Sequence, residues 1–413
     1  MVRVCDAIMG TGKSSAAITY LNEHPCDKFI YITPYLEEAT RIRRCCPDLN
    51  FIEPKNLKQY GNRKLRHTAE LIKAGKNIAT THQAFKSYTP ETLADIRAQG
   101  YTLIIDENVD VLETSDIHPD DLQMAVDAGY IRETDGVYSI VKEDYSGNAF
   151  SEVFSLLRSR ELIRMTDNDE KSLFYWALPS ELMTSFKDVF ILTYLFSGQS
   201  ICHFLSIYNI PYEFIGIERT QDGGYRFGAL PGYTPAYVEH LGDMIHILDR
   251  DSLNEIGEDY HALSMKWFKR GGDQVDQMKR NMGNCFNNIW RDIPSEQRLW
   301  GSYKSASNAI RGKGYSKSFL IFNAKAMNAY RKKDHLIYPV NIFMNVNEKK
   351  FYRSHGIKVD EDMFALSVMV QWIWRSAIRD GKEINIYIPS KRMRTLLINW
   401  IEQTSRGGGG VEN

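Results

Sequence analysis

Apolar residues fall along the chain in short runs, each followed by a turn and then by a stretch of helical periodicity. VRVCDAI near the start alternates enough to be a short buried strand, and SSAAITYLNEH places Ala16, Ile18 and Leu21 on one helical face. The pattern repeats. KFIYI runs to Ile32 before Thr33-Pro34 and the helix-like LEEATRI, and KNIA runs to Ala79 before Thr80-Thr81-His82. The β-branched and apolar run from Thr102 to Ile105 precedes Asp106-Glu107, and KDVFILTY ends at Thr193-Tyr194. Strands alternating with helices predict an α/β fold built on parallel sheets.

After Glu107 the pattern wanders. SDIHPDDLQ is acidic and loop-like, and LQMAVDAGYIRETDGVYSIVKEDY predicts a short helix and two strands joined at Thr134-Asp135-Gly136. A plain surface hairpin and the wing of a winged helix both fit that pattern. The glycines and prolines of RFGALPGYTPAY, near residues 226–237, mark a linker. A second series follows, with strand-like MIHILD, SKSFLIF, HLIYPVNIF and EINIYIP, and a long helical stretch from Leu253 to Trp290. The predicted division is a first lobe over 1–235 with an insert at about 113–180, a second lobe over 236–405, and a disordered tail over 406–413. A nucleotide would lie in the cleft between two such lobes.

A chain of 413 residues accommodates two or three domains, each with a sizeable core. The formal net charge of −1 excludes an overall basic field, so a nucleic-acid partner must be held by local patches. The six cysteines (Cys5, Cys26, Cys45, Cys46, Cys202 and Cys285) show no C-x-x-C pair and read as reduced thiols of a cytosolic protein. No apolar run reaches membrane length. The first strand begins almost at the first residue, so no targeting segment is expected, and the expected location is the cytoplasm, the host's if the chain is viral.

Candidate chemistry begins at AIMGTGKSS. The phosphate-cradle pattern is G-x-x-x-x-G-K-[ST], with Ala7 here in the first place. Met9, Gly10, Thr11, Gly12, Lys13, Ser14 and Ser15 would wrap the phosphates of ATP. Backbone N–H groups and a helix N-terminus would face the anion, Lys13 would neutralise the outer phosphates, and the Ser14 hydroxyl would bind Mg²⁺. A flexible glycine turn with a surface lysine is the plainer alternative. Asp106 and Glu107 at a strand end suit a second Mg²⁺ ligand and a carboxylate that orients or deprotonates water, although Asp-Glu also forms solvated turns.

Thr33, Pro34, Thr80, Thr81 and His82 lie at strand ends, where open α/β sheets bind ligands, and would meet nucleic-acid phosphates. KNLKQYGNRKLRHT adds Arg63 and Lys64 among other basic residues, or else is a solvated helix face. In MFALSVMVQWIWRSAIRDG, Gln371, Arg375 and Arg379 fall at i, i+4 and i+8, on one face of a helix. A triphosphate across the cleft would give them a partner; surface ion pairs would do so too. FNAKAMNAYRKKDH carries Lys325, Asn328, Arg331, Lys332 and Lys333.

AIMGTGKSS, YITPYLEEA, IATTHQAF and LIIDEN, in this order, resemble motifs I, Ia, Ic and II of superfamily 2 helicases, in wording similar to DEAD-like helicases of bacteriophage replication. The resemblance implies two RecA-like lobes, ATP and Mg²⁺, and a nucleic-acid-dependent ATPase that moves along or unwinds DNA, single-stranded or forked, in phage replication or recombination. Replication proteins would be partners, and no membrane is involved. Gln371 and Arg375 match the spacing of motif VI, the arginine-finger segment. Trp374 replaces the family glycine there, and Arg379 sits one residue late. Lys325 and Asn328 lie in a segment placed like motif V. Thr193-Tyr194 stands where motif III would, without its Ser-Ala-Thr. No glutamine-bearing segment precedes the P-loop. A terminase-like packaging ATPase would share the cradle and the Asp-Glu pair, but needs clustered nuclease carboxylates where this chain offers an isolated Glu361-Asp362. A nucleic-acid-binding adaptor with an idle P-loop is the non-enzymatic alternative.

Overall fold

The computed structural model describes residues 1–60, 63–143, 145, 147, 150–166, 171–324 and 329–407. The chain packs into two compact units, each discontinuous in sequence. The first comprises Met1–Asp6, Gly12–Leu230 and Asn345–Val359; the second comprises Ala7–Thr11, Pro231–Met344 and Asp360–Asn413. The segment Asn345–Val359 thus packs with the first half of the chain.

The first unit is built on a six-stranded parallel sheet. Four of its strands are β1 (Val2–Asp6), β2 (Phe29–Thr33), β3 (Ile78–Thr81) and β4 (Thr102–Asp106). The order across the sheet is Tyr212–Phe214, β1, Asp188–Thr193, β4, β2, β3. The central strands β2 and β4 are buried along their whole length, which is why they read as nearly unbroken apolar runs rather than as alternations. Val4, Ile30, Ile32, Ile105 and Ile191 are fully buried, each contributing about 1.5–3 kcal/mol. The register sets Asp6 beside Thr193 and Leu192 beside Asp106. It also sets Ile32 beside Ile105 and Thr33 beside Thr81. The carboxyl ends of these strands therefore share one edge of the sheet.

The insert is larger than a helix and a hairpin. It is a five-stranded antiparallel sheet in the order Leu112–Ser115, Ser172–Ala177, Glu161–Thr166, Val137–Ile140, Ile131–Thr134. Helices Pro119–Asp127 and Ser151–Leu157 accompany it, and its core includes Leu122, Ile131, Phe154, Leu162 and Trp176. The turn at Asp135-Gly136, with φ of 51° and 83°, suits a two-residue hairpin. Its two strands are extended by Glu161–Thr166 and so form neither a free-standing wing nor an isolated hairpin.

The second unit holds a five-stranded parallel sheet in the order Ile245–Ile247, Ile384–Tyr387, His335–Ile337, Arg298–Ser302, Phe319–Ile321. The helical stretch from Leu253 to Trp290 is a series of short helices, among them Met265–Arg270 and Asp273–Asn284. Gly271 and Gly272, with φ of 66° and 83°, separate these two, because a left-handed pair cannot continue a helix. Arg406 lies in the final helix, Lys391–Gly407, while the rest of the expected tail, 408–413, falls outside the described residues. No helix among the described residues is long and apolar enough to cross a membrane.

Candidate functional site

The loop after β1 turns on two glycines. Gly10 and Gly12 have φ of 90° and 89°, and Gly12 caps the helix α1 (Lys13–Glu23). A Cβ at Gly12 would stand 2.5 Å from the Tyr225 ring, and one at Gly10 would stand 2.6 Å from the Tyr237 hydroxyl. Both positions are therefore closed to side chains twice over, by backbone angle and by space. Tyr237 donates its hydroxyl to the Met9 carbonyl at 2.5 Å, and Thr11 Oγ1 donates to the Ile8 carbonyl at 2.9 Å. Lys13, Ser14 and Ser15 then open α1, at its electropositive end.

Asp106 comes to the same place from 92 residues away. Its Oδ2 accepts from the Ser14 hydroxyl at 3.0 Å and from the Tyr31 hydroxyl at 2.8 Å. Its carbonyl accepts from His82 Nε2 at 2.9 Å. Burial and then the charge of Glu107 push the Asp106 carboxyl up to about 6, against the pull of the Tyr31 and Ser14 hydrogen bonds. Burial also pushes the Lys13 ammonium down. The carboxylates around it, Asp6, Asp106 and Glu107, oppose that shift, while burial pushes the Cys5 thiol up to about 12 and keeps it neutral. Glu107 sits at φ 68°, a left-handed conformation unusual for a non-glycine residue, while its N–H donates to the Leu192 carbonyl at 3.0 Å. Such a conformation costs about 1–2 kcal/mol and gathers at functional sites.

Ser14 Oγ and Asp106 Oδ2, two hard oxygens at 3.0 Å, fit Mg²⁺. Among the described residues no three His, Cys, Asp or Glu side chains converge as a metal site. Mg²⁺ would thus be held by this pair with phosphate oxygens and water, the manner in which it usually binds beside nucleotides.

The strand-end hydroxyls need correction. Thr33 and Thr80 are fully buried with their hydroxyl oxygens enclosed, so in this structure neither offers an exposed hydroxyl to a nucleic-acid backbone. His82 is buried and turned inward to Asp106. Thr81 is half-buried, and its Oγ1 caps the short helix His82–Phe85 by accepting from Ala84 N. Pro34 and Lys64 are half-buried and Arg63 is exposed. Lys325 and Asn328 lie outside the described residues.

Gln371, Arg375 and Arg379 do not share a helical face. The helix Glu361–Ile373 stops before Arg375, since Arg375 and Ser376 N–H groups bond three residues back and the Ser376 hydroxyl takes the Ile373 carbonyl at 2.6 Å. Arg379 then falls in the separate 3₁₀ turn Ala377–Asp380. Arg375 is buried, Gln371 half-buried and Arg379 exposed. Sequence reasoning also missed Tyr31 and Tyr225. Tyr31 carries the single phenol within the strand FIYIT, a signal that was there to be read.

A strand, a two-glycine turn, a helix opening on Lys13-Ser14 and a strand ending in Asp106-Glu107 define an α/β protein with a P-loop-type turn. Residues 239–401 match the family described as the YonV C-terminal Rossmann-like domain. The chain belongs to the YonV family. It is 38% identical over 411 residues to the "SPbeta prophage-derived uncharacterized protein YonV" of Bacillus subtilis (strain 168), a match covering 97% of this chain and 98% of that one. Among solved structures, an XPD helicase aligns at 10% identity and TM-score 0.45, over 98% of this chain and 95% of its own. S. tokodaii Xpd4 aligns at 11% identity and TM-score 0.47, over 97% and 94%. Superpositions this loose carry no argument about activity.

Proposed function

We propose that this chain is a nucleic-acid-dependent ATPase of the superfamily 2 helicase type. The observation that carries the reading is the meeting of Ser14 and Asp106 at 3.0 Å beside Lys13 and the strained Glu107. The N–H groups of the glycine turn and of the first turn of α1 bind the phosphates, and Lys13 balances their charge. Ser14 and Asp106 hold Mg²⁺, which supplies positive charge at the phosphate oxygens. Glu107 orients a water molecule in line with the γ-phosphate and takes its proton. Gln371, Arg375 and Arg379 remain the candidates for completing the chemistry, on the strength of motif spacing. Pro34, Arg63, Lys64 and Thr81, with Lys325 and Asn328 from the sequence, are the candidates for a salt-sensitive grip on a nucleic-acid backbone. The prophage origin of the YonV relative supports a role in phage DNA replication or recombination, with single-stranded or forked DNA as the favoured partner.

The test is ATP hydrolysis measured with and without single-stranded DNA, duplex DNA and RNA, for the wild type and Lys13→Ala. Turnover is expected to rise with single-stranded DNA and to vanish in the variant, which should remain folded. Equal turnover in a folded Lys13→Ala protein refutes this P-loop as the active site.

A further inference from the structure

Asp6 ends β1, immediately before the glycine turn, and nothing in the phosphate-binding chemistry above uses it. Its neighbour across the parallel pairing is Thr193, which places its carboxylate at the sheet edge that also carries Asp106. Oδ2 accepts from the Phe196 N–H at 3.0 Å, while Oδ1 is buried without a hydrogen-bond partner. A buried carboxylate oxygen in that condition is costly unless a cation offsets it. Lys13, which opens α1 on the far side of the glycine turn, is a cation whose charge reaches Asp6, after burial and the Phe196 hydrogen bond in weight. The turn that Asp6 holds is itself tightly specified. Leu195 sits at φ 57°, Thr193 donates its hydroxyl to Gln199 Oε1 at 2.7 Å, and Gln199 Nε2 donates to the Tyr194 carbonyl at 2.8 Å.

We propose that Asp6 is a positioning residue: it balances Lys13 while no phosphate is present and ties that lysine to the Thr193–Gln199 turn. A phosphate arriving at Lys13 then competes with Asp6, and the turn registers the exchange through the Phe196 N–H. The inference rests on the reading of Lys13 as the phosphate-binding lysine, and its test separates the two.

Asp6→Asn removes the charge and keeps an oxygen for the Phe196 N–H, whereas Asp6→Ala removes both. Thermal unfolding of the nucleotide-free full chain is measured for wild type, Asp6→Asn, Lys13→Met and the double variant. The shift caused by Asp6→Asn is expected to shrink at least twofold in the Lys13→Met background. In ATP hydrolysis, Asp6→Asn should lower KM for ATP severalfold and blunt the stimulation of kcat by single-stranded DNA. Additive shifts in the unfolding cycle overturn the proposal, as does an Asp6→Asn enzyme with wild-type KM and kcat. A wild-type chain that hydrolyses no ATP sinks the ATPase reading, and the unfolding cycle then decides the role of Asp6 by itself.

Discussion

Glu107 carries its strain at the position where the proposed chemistry needs a carboxylate base. Its φ of 68° would suit glycine, and the proposed role as base offers a reason for glutamate there. Glu107→Gln keeps side-chain shape and strain but loses the base. Turnover is expected to fall by about 10²–10⁴ while nucleotide binding, followed by calorimetry, is retained. Glu107→Gly is expected to be as inactive and yet to resist urea better, by up to about 1 kcal/mol. Wild-type turnover in Glu107→Gln would remove the residue from the mechanism. The Asp-Glu pair was legible from the sequence because an apolar run leads straight into it. The strain was not, because φ at Glu107 is set by the bond from its N–H to the Leu192 carbonyl on another strand.

Among the elements, the helix Val346–Ser354 belongs to the first unit although it follows the linker by more than a hundred residues. Tyr175 donates its hydroxyl to the Asn347 carbonyl at 2.9 Å, and Phe351 and Tyr352 pack on Tyr175 and His203. Burial, then Asp110 and Glu113, push the Glu348 carboxyl on this helix up to about 7. Glu113 is itself bonded to Lys86 and Arg160, which hold its carboxyl below the usual value and so keep it ionised beside Glu348. The fold therefore favours protonated Glu348. The corresponding stability is complete below its ordinary value of 4.5 and is lost as pH rises through about 7. Glu348→Gln is expected to flatten this dependence and to raise Tm at pH 8 by about 2–4 °C. Parallel Tm–pH curves for variant and wild type between pH 5 and 8 would contradict it.

Elements also show where pattern reading fails. Arg298–Ser302, RLWGS, is a fully buried strand that the apolar pattern did not single out, because it contains an arginine and a glycine. Arg298 is accommodated because its Nε donates to the Ile293 carbonyl at 3.0 Å, and Gly301 because a Cβ there would come within 3.0 Å of Trp372. The helix that was expected to carry Gln371, Arg375 and Arg379 fails for a similar reason. Its apolar period continues past Ile373, but the Ser376 hydroxyl takes the Ile373 carbonyl and ends it.

For the whole molecule, the discontinuity of the units changes what a truncation would do. A chain cut after residue 235 loses Asn345–Val359 and leaves Tyr175 and His203 uncovered. It is expected to unfold at lower temperature than the first unit does in the full chain, as followed by hydrogen exchange across Ser172–Ala177. Appending 345–359 through a linker should restore part of the loss. Equal protection of Ser172–Ala177 in the cut chain would show that the segment is dispensable. If the motif spacing that proposes Arg375 as a finger is meaningful, kcat of Arg375→Ala should fall by about 10³-fold or more with little change in nucleotide affinity. Arg379→Ala, at an exposed residue where Arg375 is buried, should cost far less. Equal effects of the two would remove Arg375 from the chemistry.

The sequence by itself determined the five main strands of the first sheet, the glycine turn, Lys13-Ser14 and Asp106-Glu107. These are local signals, in which an apolar run needs only to be buried and a left-handed turn needs glycine. Only the tertiary structure decided that Ser14, Tyr31 and His82 converge on Asp106, and that Thr33 and Thr80 face inward. It also decided that a helix from the second half of the chain completes the first unit. Strand order and long-range packing set those outcomes, and side-chain period along one strand carries no record of its neighbours.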